Sequence, residues 1–159
     1  RILSWEPNAR IVLHGVSMGA ATVLMASGEN LPENVKAVIA DCGYTSEWDE
    51  FQREADTLHI PWFPVLNATS VLSKVRDGYD FKQASALAQV KKSRIPTLFI
   101  HGSSDELVPY SMLGELYAAA ACEKEELTVE GAGHALSSSV APTLYWRTVE
   151  NFIAKYLDR

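Results

Sequence analysis

The stretch Arg10-Ile11-Val12-Leu13-His14-Gly15-Val16-Ser17-Met18-Gly19-Ala20-Ala21 decides how this chain is read. An apolar run ends in Gly-x-Ser-x-Gly, and an alanine-rich segment follows at once. The run reads as a buried strand. Met18–Ala26 reads as a helix whose small side chains let it lie close to a sheet, with Gly28 ending it. Ser17 then sits on a sharp strand-to-helix turn that lifts its Oγ above the sheet and aims a helix N-terminus at any negative charge developing beside it. Gly15 and Gly19 are expected to be glycine because a side chain at either would make the strand end and the first helical turn collide. Ser17 is thus the candidate nucleophile, and the backbone N–H of Met18 the candidate oxyanion donor.

Outward from this turn the pattern repeats. Ile11–His14, Val35–Ala40 and Thr97–His101 read as strands buried on both faces, as a parallel sheet demands. Glu126–Val129 is shorter and more polar, which suits an edge. Tyr110–Cys122 reads as a helix, and in Pro142–Leu157 the residues Tyr145, Val149, Phe152, Ile153 and Tyr156 share one helical face. Strands alternating with helices predict an α/β fold, a mostly parallel sheet with flanking helices. Residues 43–82 break the rhythm, holding seven of the chain's fifteen aromatics together with Pro61 and Pro64. This stretch is predicted to be an inserted set of short helices, a cap on a single domain spanning 1–159.

A serine hydroxyl needs a base to become a useful nucleophile. Of the four histidines, His134 is placed for that role, in the small-residue loop Gly131-Ala132-Gly133-His134-Ala135 between the last strand and the last helix. His14 and His101 each end a strand before a glycine and are expected to satisfy loop hydrogen bonds near the site. His59 falls in the insertion and reads as a surface residue. The base in turn needs a carboxylate to fix its tautomer. Asp105 follows the third strand in His101-Gly102-Ser103-Ser104-Asp105, at the carboxyl end of a strand where functional groups of open α/β sheets gather. Asp41, after the second strand, is the rival acid; Glu106 would point elsewhere from the same loop as Asp105.

With Ser, Asp and His in that order, the chain resembles the α/β-hydrolase superfamily, in particular the bacterial esterase, lipase and thioesterase-like group near the prolyl oligopeptidase type. The matching stretches are Ile11–Ala21, Val35–Ser46, Ile95–Met112 and Glu130–Ala135. The resemblance implies that the four strands correspond to the fifth through eighth of an eight-stranded sheet, so that this is the C-terminal half of the fold, and that the insertion caps the site. It implies a Ser17-His134-Asp105 triad acting on a small acyl ester or thioester, with no cofactor and no metal. Among the cap aromatics, Trp48, Trp62 and Phe63 are expected to line an acyl pocket. The family's first four strands, and the loop that supplies its second oxyanion N–H, have no counterpart here. Strand Arg10–His14 would then present an unpaired edge, to be covered by the N-terminal half of the same protein or by a symmetry-related copy.

Bulk properties narrow the alternatives. The 159 residues are enough for one core. Fourteen basic residues against twenty acidic ones give a net charge of −6 with no basic stripe, which sets nucleic acid aside as a partner. Apolar runs stay short of the roughly 18 residues needed to span a bilayer. Cys42 and Cys122 are expected to be buried free thiols. The first residue is Arg1 and a strand-motif pair follows almost immediately, so the chain reads as the C-terminal part of a longer protein. Three functional classes remain: a carboxylic ester or thioester hydrolase, a peptidase of the prolyl oligopeptidase kind, and a non-catalytic binding protein on a hydrolase scaffold. The third has no use for all three triad residues.

Overall fold

The apolar runs form strands because helices cover them on both faces. The computed structural model describes residues 1–157. In it β1 (Ile11–Val16), β2 (Val35–Asp41), β3 (Thr97–Gly102) and β4 (Lys124–Val129) make one parallel sheet in the order β1-β2-β3-β4. Successive side chains alternate between the two faces. Ala37, Ile39, Leu98, Ile100 and Val129 meet Tyr145, Val149, Phe152 and Tyr156 of α8 (Pro142–Leu157). Val38, Ala40 and Phe99 point the other way. They pack on Ala20 and Leu24 of α2 (Met18–Ser27), Ala86 and Val90 of α5 (Ala86–Val90), and Leu113 and Leu116 of α6 (Ser111–Ala119). Each fully buried side chain of the larger kinds contributes roughly 1.5–3 kcal/mol, so the two layers together hold the strand ends in place.

β2 and β3 are buried on both faces as predicted. β1 is not: it has β2 as its neighbour on one side, its side chains are half-exposed, and Val16 is 42% exposed. β4 begins two residues before the predicted start, at Lys124, whose ammonium donates to the carbonyls of Tyr117 and Ala120 at 2.6 and 2.9 Å. The same contact closes α6 at Ala119, short of the predicted Cys122, with Ala120 already extended (φ −64°, ψ 129°). Gly28 does end α2, but its φ is −86° rather than left-handed. Glycine is required there by packing, since a Cβ would lie 2.4 Å from Gln89 Oε1 and 2.6 Å from the Gln89 carbonyl.

The insertion folds as α3 (Glu47–Thr57) and α4 (Trp62–Asp77). Ser46 caps α3 by accepting the Asp49 amide at 3.1 Å, and Glu47, Asp49 and Glu50 in its first turn complement the helix dipole. At 16 residues α4 is longer than the short helices predicted; it closes at Gly78, in the left-handed conformation with φ 73°. Phe63 interrupts its first turn (φ −98°, ψ 129°), as expected of a residue preceding a proline. Two further short helices, α1 (Ile2–Trp5) and α7 (Ser137–Val140), were not anticipated. Both cysteines are free; Cys42 is buried as expected, whereas Cys122 is only partly so. No helix among the described residues is long and apolar enough to cross a membrane.

Candidate active site

Ser17 occupies the turn between β1 and α2 with φ 56° and ψ −120°. A non-glycine residue in such a conformation stores roughly 1–3 kcal/mol, so neighbours must hold it. Its amide donates to the Asp41 carbonyl at 2.8 Å, tying the turn to the end of β2, and its carbonyl accepts from the Ala21 amide at 3.1 Å. Gly15 makes the turn possible, because a Cβ there would lie 2.1 Å from the Gly19 carbonyl oxygen. Gly19 itself is different from expectation: a Cβ at that position would meet nothing within 4 Å. The close approach is one-sided, with the backbone of Gly19 pressing on the α-carbon of Gly15.

A second close approach joins the other two residues. A Cβ on Gly102 would fall 2.2 Å from the Ala132 carbonyl. Without one, the loop after β3 and the loop after β4 touch, and the Ser104 amide donates to Ala132 O at 3.0 Å. This sets Asp105 beside His134. Asp105 Oδ2 lies 2.8 Å from His134 Nδ1, and His134 Nε2 lies 2.7 Å from Ser17 Oγ. Asp105 Oδ1 accepts the amides of Leu107 at 3.0 Å and Val108 at 2.9 Å, so the buried carboxylate is held at both oxygens. A carboxylate can only accept, so the proton between it and the imidazole belongs to Nδ1, leaving Nε2 free to take the serine proton. The first amides of α2, Met18 among them, have no intrahelical partner at this helix start.

Asp41 does not approach His134 Nδ1. It is buried beneath the site, accepting from Ser137 Oγ at 3.2 Å and hydrogen-bonded to Tyr145. Burial pushes its carboxyl above the ordinary carboxylate range, with the Ser137 and Tyr145 bonds and the nearby His101 and His14 rings opposing. His14 sits 3.1 Å from the Tyr145 hydroxyl through Nε2, and its pKa is lowered by burial against the raising pull of Asp41. Glu106 is exposed.

Residues 5–159 match the prolyl oligopeptidase family. The chain belongs to that family. An Arabidopsis thaliana relative, the alpha/beta hydrolase domain-containing protein WAV2, is 32% identical over 157 residues, covering 93% of this chain and 48% of the relative. The Pyrococcus furiosus esterase Pf2001 superposes with a TM-score of 0.73 at 20% identity, covering 98% of this chain and 58% of its own. The Pyrococcus horikoshii acylaminoacyl peptidase superposes with a TM-score of 0.72 at 17% identity, covering 99% of this chain and 26% of its own. The chain spans about half the length of the curated relatives it matches. The parallel sheet with its flanking helices is the α/β-hydrolase fold of this family.

Around the site of this prolyl oligopeptidase family member lie groups that sequence reading passed over. Cys42 follows β2 with φ 49°, and Ala135 follows His134 with φ 57°, so with Ser17 three strained non-glycine residues surround the site. The Cys42 thiol is pushed up to about 12, chiefly by burial and next by the charge of Asp41. Its sulfur, Asp105 and His134 offer donor atoms within 4.8 Å of one another. These residues lie 63 and 29 positions apart in sequence, so no ligand spacing announced the group. In the cap, Arg53 of α3 donates to the Leu107 carbonyl on the Asp105 loop and pairs with Glu50 at 3.4 Å. Burial pushes the Glu50 carboxyl up, with the charges of Arg53 and His134 opposing. The cap aromatics are placed differently from one another. Trp62 joins Phe51, Leu58, Leu66 and Phe81 around an apolar cavity of about 310 Å³ between α3 and α4. Trp48 lies under the Lys82 ammonium, 4.4 Å from its ring centroid, and Phe63 is 66% exposed.

Proposed function

We propose that the complete protein is a serine hydrolase that cleaves a carboxylic ester or thioester through an acyl-enzyme intermediate. The observation that supports this most is the continuous chain of two short hydrogen bonds, 2.7 Å from Ser17 Oγ to His134 Nε2 and 2.8 Å from His134 Nδ1 to Asp105. In this reading Ser17 Oγ attacks the acyl carbonyl as its proton passes to Nε2. The carbonyl oxygen becomes an oxyanion facing the Met18 amide at the N-terminus of α2. Collapse breaks the bond to the leaving alcohol or thiol, which takes the proton from Nε2. Water then attacks the acyl-serine with His134 again as base, releasing the acid and restoring the Ser17 hydroxyl. Asp105 stays ionised throughout and steadies the imidazolium.

The apolar cavity in the cap, of about 310 Å³ and lined by none of the three triad residues, has the chemistry to take an acyl chain. Trp62 is the aromatic residue we assign to contact with the acyl chain. Peptide-bond cleavage is the second reading, favoured by the family and by the acylaminoacyl peptidase among the structural neighbours. The test uses the complete protein with a fluorophosphonate probe and a panel of p-nitrophenyl esters of graded acyl length. Wild type is expected to be labelled and Ser17→Ala not, with a loss on the order of 10⁴-fold or more in kcat. Labelling that persists in Ser17→Ala moves the nucleophile elsewhere. Turnover of acyl-aminoacyl amides but not of esters selects the peptidase reading.

A further inference from the structure

His101, four residues before Asp105, is buried at the end of β3 with 1% of its surface exposed. Its Nε2 lies 3.0 Å from the Val108 carbonyl and 3.3 Å from Asp105 Oδ2. A carbonyl oxygen only accepts, so Nε2 is the protonated nitrogen of this ring and donates to Val108, while Asp105 Oδ2 lies beside the ring without a hydrogen bond from it. Oδ2 is the same oxygen that receives His134 Nδ1. The Asp105 carboxylate is held by three N–H groups, the Leu107 and Val108 amides on Oδ1 and the His134 imidazole on Oδ2, and His101 fixes the Val108 peptide that supplies one of them.

These donors belong to the arrangement expected of any buried orienting acid. The support of the Val108 peptide by His101 does not, and the fold supplies it by burying a polar ring among the apolar residues of β3. From this we infer that His101 is a positioning residue for the hydrolytic reaction, locking the Asp105 carboxylate so that it orients His134. This rests on the serine hydrolase reading given above. The His101 bond to the Val108 carbonyl fixes the peptide whose amide, with that of Leu107, keeps Oδ1 in place as His134 becomes charged, and the buried ring stands 3.3 Å from Oδ2.

The groups facing the two rings limit what else can move. His101 is met by Asp105, by the Tyr110 ring at 6.0 Å edge-on, and by the charge of Asp41. His134 is met by Ser17, by Asp105, by Cys42 at the end of β2 and by Glu50 from the cap helix α3. A variant without the Nε2 donor leaves the Val108 carbonyl unpaired and loosens the peptide whose amide holds Asp105 Oδ1.

The complete protein carries the test, with active sites counted by fluorophosphonate titration so that misfolded molecules drop out. Gln can place an amide nitrogen near the position of Nε2, whereas Asn is too short and Leu has no donor. His101→Leu and His101→Asn are expected to lose about 10–100-fold in kcat per active site, the range seen when an outer partner of a functional group is removed. KM should change less than about threefold. His101→Gln should recover most of the rate. If Leu cannot be purified folded, the Gln-against-Asn contrast decides alone. Equal rates for Gln and Asn, or a Leu variant within about twofold of wild type, overturn the assignment. Absence of labelling in wild type would instead sink the hydrolase reading itself, and the two failures are therefore distinct.

Discussion

Replacing Asp105 by Asn exchanges one oxygen for an NH₂ group, and the structure dictates which one. Two backbone amides, from Leu107 at 3.0 Å and Val108 at 2.9 Å, converge on Oδ1 and require an acceptor there. The asparagine oxygen must therefore take that position, leaving its NH₂ to face His134 Nδ1 and His101 Nε2. A donor now points at Nδ1, so His134 is driven to the tautomer that carries its proton on Nε2. That nitrogen lies 2.7 Å from Ser17 Oγ and can no longer accept the serine proton. The expected loss is roughly 10⁴-fold in kcat, which corresponds to about 5.4 kcal/mol of transition-state stabilisation. The structure also separates the rival acid. Asp41 accepts from Ser137 and stands away from Nδ1, and an asparagine in its place would keep an acceptor for that bond. Asp41→Asn is expected to lose less than about tenfold. Steady-state kinetics on a p-nitrophenyl ester, normalised to fluorophosphonate-reactive sites, measure both. A larger loss for Asp41→Asn than for Asp105→Asn, or an Asp105→Asn variant retaining about a tenth of the activity, would refute the tautomer argument.

Gly15→Ala places a methyl 2.1 Å from the Gly19 carbonyl and is expected to destabilise by roughly 1–3 kcal/mol with loss of probe labelling. Gly19→Ala meets open space and should leave the melting temperature within about 2 °C of wild type; equal melting losses in the two variants would contradict this. Asp41 is raised by burial in the folded state, so between its unfolded and folded pKa the native protein binds the extra proton and stability falls as pH rises. Its favourable contribution is complete below the unfolded value and lost as pH climbs through the folded one. Asp41→Asn should therefore gain stability relative to wild type as pH is raised above about 4, read by denaturant melts; a constant difference would exclude it. Finally, β1 is the end strand of the four-stranded sheet, pairing with β2 alone among the described strands. We expect the isolated 1–159 chain to self-associate through this edge, and sedimentation as a stable monomer would show that the edge is adequately protected.

The order of Ser17, Asp105 and His134 and the period-2 and 3.6 patterns around them were legible in the sequence because each is a local property. A strand buried on both faces must be apolar throughout, as Val35–Ala40 largely is, and a helix lying on a sheet must repeat its apolar residues as Tyr145, Val149, Phe152 and Tyr156 do. The requirement for glycine at position 15 could be stated for the same reason, although the matching claim for Gly19 failed: which of two backbones yields depends on the direction of a Cα–Cβ bond that only the folded turn defines. The exposure of β1 and the true function of Gly28, making room for Gln89, were likewise set by neighbours distant in sequence. So was the choice between Asp41 and Asp105. Both follow a strand, and sequence offered no physical ground beyond spacing to separate them. The contact of the β3 and β4 loops at Gly102 and Ala132 carries Asp105 to His134, while Ser137 and Tyr145 hold Asp41 below the site. His101 was read at the end of a strand with a loop hydrogen bond to satisfy, and its bond to the Val108 carbonyl is of that kind, but its approach to Asp105 was not legible. A side chain's periodicity is written along the chain, but the groups it meets in the core are brought to it by the packing of other elements.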